Sequence, residues 1–278
     1  MNSETGPASM LIKYGGNAMT DPELQDRVLD EIAELHQRGV RVVLVHGGGP
    51  SIAQILQEVG IETEFVGGHR RTDERTIGYV EMALRGRVNG ELVRRLCAKG
   101  IPAVGLSGKD ASMVRARRRW HVENGDDAEA ERVDLGFVGD VAHVDTELLE
   151  FLLDQDYLPV LAPIAVGEDG MDYNVNADMF AGHVAAALGV DCFVALTNVD
   201  GLRRDPVDPD TVIREISIDE LEKLQGTSIV GGMIPKVEAC AITLQGGVER
   251  AMIVDGTKPG GLRAALERDQ RRGTEIHA

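Results

Sequence analysis

The chain has 278 residues, of which 43% are apolar and 4% aromatic, and it carries a formal net charge of -17. That is enough apolar volume for a core of Val, Leu, Ile and Ala in one large or two modest domains, and the acidity argues against a nucleic-acid partner, whose backbone needs a basic surface. No run approaches 18 uninterrupted apolar residues and the first nine residues lack a signal's basic-then-apolar order, so a cytoplasmic chain with no membrane partner is expected.

Cys97, Cys192 and Cys240 have neither disulfide nor zinc spacing and read as buried small hydrophobes. Any anion such a chain handles must be drawn into a local positive pocket against the overall field. Only six of the 29 basic residues are lysine, and two of them, Lys13 and Lys236, stand beside glycine pairs. Compact ammonium groups next to glycine-rich turns suit phosphate, although codon bias alone would also give an arginine excess.

In chain order, Met10 to Tyr14 reads as a strand ending at Gly15-Gly16, and Asp21-Pro22 as a helix cap ahead of a stripe of Leu24, Val28, Ile32 and Leu35. Val40 to Val45 is a buried strand, His46 to Pro50 a turn, and Ile52, Ile55, Leu56 and Val59 the stripe of the next helix. One helix is expected over Thr72 to Lys99, then a strand at Ile101 to Leu106. From Met113 to Val144 short alternating runs predict an antiparallel excursion, with the acidic 123–131 stretch as its exposed loop and Arg115, Arg117, Arg118 and Arg119 on a solvated edge. Tyr157 to Ile164 returns to buried strand, and the turn at Gly167 to Gly170 marks a soft boundary between residues 1–170 and 171–278.

The second half opens a helix at Asn174 to Asp178, followed by a strand at Cys192 to Leu196. Ser217 caps a short helix, Lys236 starts another to Leu244, and a strand at Ala251 to Val254 and a helix at Leu262 to Arg268 complete the chain. Strand, glycine turn and helix alternate throughout, which predicts a doubly wound α/β fold with ligands at the carboxyl ends of strands.

Several of these turns could carry chemistry. Gly47-Gly48-Gly49-Pro50 joins a strand to a helix, where bare backbone N–H groups can approach an anion. Steric necessity also produces such glycines, and neither turn matches the P-loop or dinucleotide fingerprint. Asn174, Asn176 and Asp178 fit an Asx turn with an N-cap, or else an organising carboxylate that pairs with nearby lysines. Either Arg70 or Arg71 could clamp a carboxylate in a two-pronged bond, while His46 and His69 have no neighbour at metal-ligand spacing.

Seven segments occur in order: Lys13-Tyr-Gly-Gly-Asn-Ala-Met, Val45-His-Gly-Gly-Gly-Pro, Gly68-His-Arg-Arg-Thr-Asp, Gly105-Leu-Ser-Gly-Lys-Asp, Tyr173-Asn-Val-Asn-Ala-Asp, Leu196-Thr-Asn-Val-Asp-Gly and Gly231-Gly-Met-Ile-Pro-Lys. Together they resemble the N-acetylglutamate kinases of the amino acid kinase family across almost the whole chain. The resemblance implies a three-layer αβα sandwich with a central, mainly parallel open sheet. It also implies transfer of the γ-phosphoryl group of ATP to the γ-carboxylate of N-acetyl-L-glutamate, a step of arginine biosynthesis.

Carried over residue by residue, the resemblance places Lys13 and Lys236 on the transferring phosphoryl group with Asp178 between them. Gly15, Gly16, Gly48 and Gly49 would offer backbone contacts, and Arg70 would bind the substrate α-carboxylate with Asn174 and Asn176. Thr197, Asn198, Val199, Gly201, Leu202, Gly232 and Met233 would border the nucleotide, with Mg2+ held mainly by ATP phosphates and water rather than by protein ligands. The N-terminal part would bind acylglutamate and form a homodimer, and the C-terminal part would bind ATP.

The chain departs from the family pattern at several points. The stretch before Lys13 is too short for the N-terminal helix of arginine-inhibited hexamers, so arginine insensitivity and a dimer are expected. Arg71 replaces a usually apolar residue and Gly90 a common lysine, and the 123–131 stretch is unusually long and acidic. Two alternatives stay open: a kinase for N-succinylglutamate or a carrier-linked glutamate or aminoadipate, docked through Arg115 to Arg119, and a non-catalytic ligand sensor.

Overall fold

Five of the six residues of strand β1 (Ser9–Tyr14) are buried, and the rest of the molecule is laid around it. The computed structural model describes residues 6–19, 21–122, 132–224, 226–266 and 272–278. The acidic 123–131 stretch and the end of the expected helix at 262–268 therefore lie outside the described residues. After β1 come α1 (Pro22–Gln37), β2 (Arg41–His46), α2 (Gly49–Glu58), the short strands β3 (Phe65–Val66) and β4 (His69–Arg70), and α3 (Glu74–Glu81). Next are α4 (Gly90–Ala98), β5 (Ala103–Ser107), β6 (Val114–Val122), β7 (Arg132–Val144), α5 (Glu147–Asp154), β8 (Leu158–Ala162), β9 (Ile164–Gly167) and β10 (Asp172–Val175). The last third holds α6 (Ala177–Leu188), β11 (Cys192–Thr197), β12 (Glu215–Ser217), α7 (Ile218–Glu222), α8 (Ile234–Gln245), β13 (Arg250–Asp255), α9 (Gly261–Leu266) and β14 (Thr274–His277).

The main sheet runs β12-β14-β13-β11-β1-β2-β8-β5. From β13 to β5 all neighbours are parallel, while β14 lies antiparallel on β13. The chain winds from β1 to β2 on one side and later to β11 on the other, so the carboxyl ends of these three strands form the switch point where an open α/β sheet binds its ligand. Alternation along the strands sends Leu11, Val43, Phe193 and Ile253 to one face with Ala181 and Val184 of α6 and Val237 of α8. Met10, Ile12, Val42 and Val194 go to the other, against Leu29 and Ile32 of α1 and Leu92 and Leu96 of α4. These two cores on opposite faces are the three-layer sandwich the sequence predicts.

Three local departures have physical causes. The helix expected from Thr72 begins at Glu74 because Thr72 is held in strand-like pairing, its N–H donating to Leu135 O and its carbonyl accepting from Phe137 N. Asp73 caps that helix instead, accepting from Thr76 N at 2.7 Å, and the helix widens into a π-helical segment over Met82–Asn89 before α4. The strand expected to run to Ile164 divides at Pro163, which has no N–H for a ladder. Beyond it β9 joins β10, β7 and β6 in a closed four-stranded barrel, so the antiparallel excursion is larger than the alternating runs suggested. The turn at 167–170 joins β9 to β10 within this barrel.

Helices α6 and α8 touch backbone to backbone. A Cβ on Gly182 would lie 2.8 Å from Ala239 O and 2.9 Å from Ala239 Cα. Thr243 Oγ1 pins the crossing by donating to Ala239 O at 2.7 Å and Gly182 O at 3.3 Å. Gly182→Ala is expected to force the helices apart and destabilise the fold by about 1–3 kcal/mol, read as a lower Tm. An unchanged Tm would show that the crossing has room to spare.

Candidate active site

Lys13 shares the α6 face of β1 with Leu11, because strand side chains alternate. It is 5% exposed, at the carboxyl end of the strand, and an ammonium buried there needs an anion. The anion is Asp178, in the first turn of α6: Lys13 Nζ lies 2.9 Å from Asp178 Oδ1. Lys236, in the first turn of α8, lies 3.3 Å from Asp178 Oδ2 and also donates to Gly232 O at 3.2 Å. Asp178 and Lys236 each stand about one turn before the Gly182–Ala239 crossing, so that close approach sets their separation.

The electrostatics follow from burial and charge together. Burial works against ionisation of Asp178, but the Lys13 and Lys236 ammonium groups outweigh it and hold the carboxyl below the usual carboxylate range. Lys236 is shifted the other way for a lysine: burial first, then the Lys13 charge, lower its pKa, with Asp178 opposing both. Two cations and one carboxylate leave a net positive point inside a chain of charge -17.

The two glycine turns meet at this point. Gly47 N donates to Tyr14 O at 2.8 Å, closing β2 onto the end of β1. A Cβ on Gly47 would lie 3.7 Å from Gly15 Cα, and one on Gly15 would lie 2.9 Å from Lys13 Nζ. Gly16 has φ +75°, the left-handed region that favours glycine. Gly48 caps α2 and Gly49 opens it, so their N–H groups belong to the helix's first turn, which lacks intrahelical acceptors. Steric need and anion access coincide here, since Gly48 is also hemmed in: a Cβ would meet Leu84 Cδ2 at 2.5 Å.

Arg70 is buried beside that helix start. Its guanidinium donates to Thr63 Oγ1 at 2.9 Å and Gly49 O at 3.4 Å, and it stacks 4.7 Å from the centre of the Phe65 ring. Arg71 points outward and pairs with Glu64 at 3.0 Å. Asn176 is the N-cap of α6, its Oδ1 accepting from Asp178 N at 2.9 Å and Met179 N at 3.2 Å. The capping reading of this segment and its organising reading thus hold together, because the cap is what presents Asp178. Asn174 sits on β10, paired in register with Val138 of β7, two residues ahead of that cap.

Next to Lys236 lies a cavity of about 290 Å³, lined by Gly15, Gly16, Thr197, Asn198, Val199, Gly201, Leu202, Gly232 and Met233 among others. Thr197, Asn198, Val199, Gly201, Leu202, Gly232 and Met233 are the residues that the family resemblance would place beside a nucleotide. Sequence reasoning missed Arg203, Pro206, Ser228 and Val230, which also line it. Arg203 and Pro206 lie in a proline-punctuated loop just after Gly201, and Ser228 and Val230 lie just before Gly231-Gly232; neither stretch carries a periodic signal.

One expectation needs correction: Cys97 is exposed, unlike Cys192 and Cys240, because it lies on the outer side of α4. The arginine run on β6 is solvated as expected, with Arg115, Arg117 and Arg118 exposed, and two of its members carry surface ion pairs, Arg118 with Asp134 at 2.7 Å and Arg119 with Asp140 at 2.5 Å. Among the described residues no group of three or more His, Cys, Asp or Glu is placed to hold a metal ion, and no helix is long and apolar enough to cross a membrane.

The pH dependence of stability tests the buried triad. A depressed folded-state pKa means that the Asp178 charge stabilises the fold above about pH 4, the unfolded carboxyl range, and that the contribution is lost as pH falls through the folded value. Asp178→Asn should therefore cost about 3 kcal/mol at neutral pH, with the gap to wild type closing in acid. A gap that does not change with pH would contradict the ion-pair account.

The chain is similar to known proteins along almost its whole length. The model of the amino acid kinase family matches residues 9–255. The acetylglutamate kinase of Symbiobacterium thermophilum is 43% identical over 269 residues, 96% of this chain and 91% of that protein. The acetylglutamate kinase of Bartonella tribocorum is 45% identical over 270 residues, 96% of this chain and 89% of that protein. Among solved structures, smu.665 from Streptococcus mutans superposes with TM-score 0.76 at 28% identity, covering 98% of this chain and 99% of its own. N-acetylglutamate synthase from Neisseria gonorrhoeae shares the fold, with TM-score 0.81 at 24% identity over 98% of this chain and 59% of its own. The chain belongs to the amino acid kinase family, among its acetylglutamate kinases.

Proposed function

We propose that the protein phosphorylates the γ-carboxylate of N-acetyl-L-glutamate with ATP, giving N-acetyl-L-glutamyl 5-phosphate and ADP for arginine biosynthesis. The observation that carries this reading is one buried carboxylate, Asp178, bridging Lys13 and Lys236 beside two glycine turns and a cavity.

The chemistry needs no general base. The substrate γ-carboxylate is ionised at neutral pH, so the difficulty is bringing two anions together and spreading charge over the transferring phosphoryl group. Asp178 is unsuited to accept a proton, because both its oxygens face ammonium groups and its pKa is lowered. Its role is to hold the two lysines, which neutralise the phosphoryl oxygens, while N–H groups of Gly15, Gly16, Gly48 and Gly49 complete the cradle. Those committed oxygens also suit a Mg2+ ion that arrives with ATP and is held mainly by phosphates and water.

Arg70, beside the start of α2, clamps the substrate α-carboxylate with Asn174 and the free amide nitrogen of Asn176. The cavity beside Lys236 takes the nucleotide. Acylglutamate then sits on the N-terminal side of the cleft and ATP on the C-terminal side, with a homodimer formed through the N-terminal part. Two of the four arginines on β6, Arg118 and Arg119, are already neutralised by Asp134 and Asp140, which counts against a basic dock for a carrier-linked substrate. The intact triad counts against a non-catalytic sensor.

Incubation with ATP and N-acetylglutamate should form an acyl phosphate that hydroxylamine traps; ATP hydrolysis with no trapped product would overturn the reading. Lys236→Ala should lower kcat by about a hundredfold or more with little change in acylglutamate binding. Arg70→Ala should instead raise the KM for acylglutamate by about tenfold, and an effect confined to ATP would remove Arg70 from its place.

A further inference from the structure

His46, on the strand end before the glycine turn, is fully buried, and its ring bonds go to residues outside the Lys-Asp-Lys triad. Its ring is gripped at both nitrogens. Nδ1 lies 2.8 Å from Gly47 O, and Nε2 lies 3.0 Å from Asn89 Nδ2. Asn89 is itself 3% exposed and ends the π-helical segment between α3 and α4.

The direction of each bond can be worked out. Asn89 Nδ2 also lies 2.8 Å from Val160 O, a carbonyl that can only accept, so the amide nitrogen and not its oxygen faces that side. The same nitrogen therefore donates to His46 Nε2. A neutral imidazole whose Nε2 accepts carries its proton on Nδ1, which donates to Gly47 O. Burial favours that neutral form, pushing the His46 pKa down to about 4.

The carbonyl of Gly47 and the N–H of Gly48 belong to one planar trans peptide and point in opposite directions. Fixing the first fixes the second. We propose that Asn89 and His46 form a relay that aims the Gly48 N–H into the cleft, so that both are positioning residues for phosphoryl transfer. The proposal rests on the kinase reading above, in which Gly48 donates to the reacting groups.

The surroundings are built to the same end. Leu84 and Val88 of the π-helical segment wall Gly48, where a Cβ would approach them to 2.5 and 3.3 Å. Gly105 of β5 leaves room for Asn89 Oδ1, which a side chain there would displace. A π-helical segment is rare and frequently marks a functional site, and its wider turn shifts the side chains that follow relative to regular α geometry. Here the side chain at its end is Asn89.

Two substitutions of His46 separate the relay from simple packing. His46→Asn places an amide nitrogen near the Nδ1 position and can still donate to Gly47 O, whereas His46→Gln is closer in size but places its amide near Nε2. The relay predicts that His46→Gln, Asn89→Ala and Gly105→Ala each lower kcat about ten- to a hundredfold with the KM for ATP within about twofold of wild type, and that His46→Asn recovers most of the rate. The reverse order, with His46→Gln faster than His46→Asn, or losses seen in Tm alone, would overturn it. Long-range proton–nitrogen NMR of the wild type supplies a readout that does not depend on turnover. Protonated Nδ1 and bare Nε2 are expected, and the opposite tautomer would overturn the relay even in a protein whose kinase reading had failed.

Discussion

A carboxylate shared by two ammonium groups in a nearly dry interior is the interaction on which the rest of this molecule depends. Without Asp178, Lys13 and Lys236 would repel one another in a medium that screens charge poorly. With it, both are held close together on the two oxygens of one carboxylate. Each partner comes from a different element, β1, α6 and α8, so the fold is in effect the means of bringing three first-turn and strand-end positions to one point.

The supporting architecture follows from that requirement. Strand alternation puts Lys13 on the α6 face, the Asn176 cap presents Asp178, and the missing side chain of Gly182 lets α8 come close enough for Lys236 to reach. The barrel delivers β10 and the cap, while the parallel sheet collects both glycine turns at the carboxyl ends of β1 and β2. An overall charge of -17 repels anionic substrates at long range. The Lys-Asp-Lys cluster, with its two cations and one carboxylate, is a local positive region against that field.

Much of this was legible in the sequence because the site is made of local signals. Asp21, Ser217 and Asn176 are capping residues recognisable by type, and each caps its helix. Lys13, Asp178 and Lys236 could be singled out from glycine pairs and an Asx turn before any contact was known. The barrel was only half visible, since its closure depends on where Pro163 breaks a strand and on pairing between segments far apart in the chain. Strand β14 was missed for the same reason: Thr274 to His277 is a short alternation that becomes a strand only by pairing with β13 and β12. The π-helical segment left no periodic trace, because Ile77, Val80, Leu84, Val88 and Leu92 satisfy an ordinary helical stripe equally well. His46 looked idle in sequence since its partner, Asn89, is brought to it only by that segment.

Binding of a transition-state mimic tests the central claim most directly. MgADP, aluminium fluoride and N-acetylglutamate can be titrated together into wild type and Asp178→Asn and compared with each ground-state ligand alone. If Asp178 exists to align two lysines on the transferring group, the variant will bind ADP and N-acetylglutamate nearly as wild type does but lose affinity for the combined mimic by about the factor it loses in kcat. Equal weakening of all three, or a mimic bound as tightly as in wild type, would contradict the account.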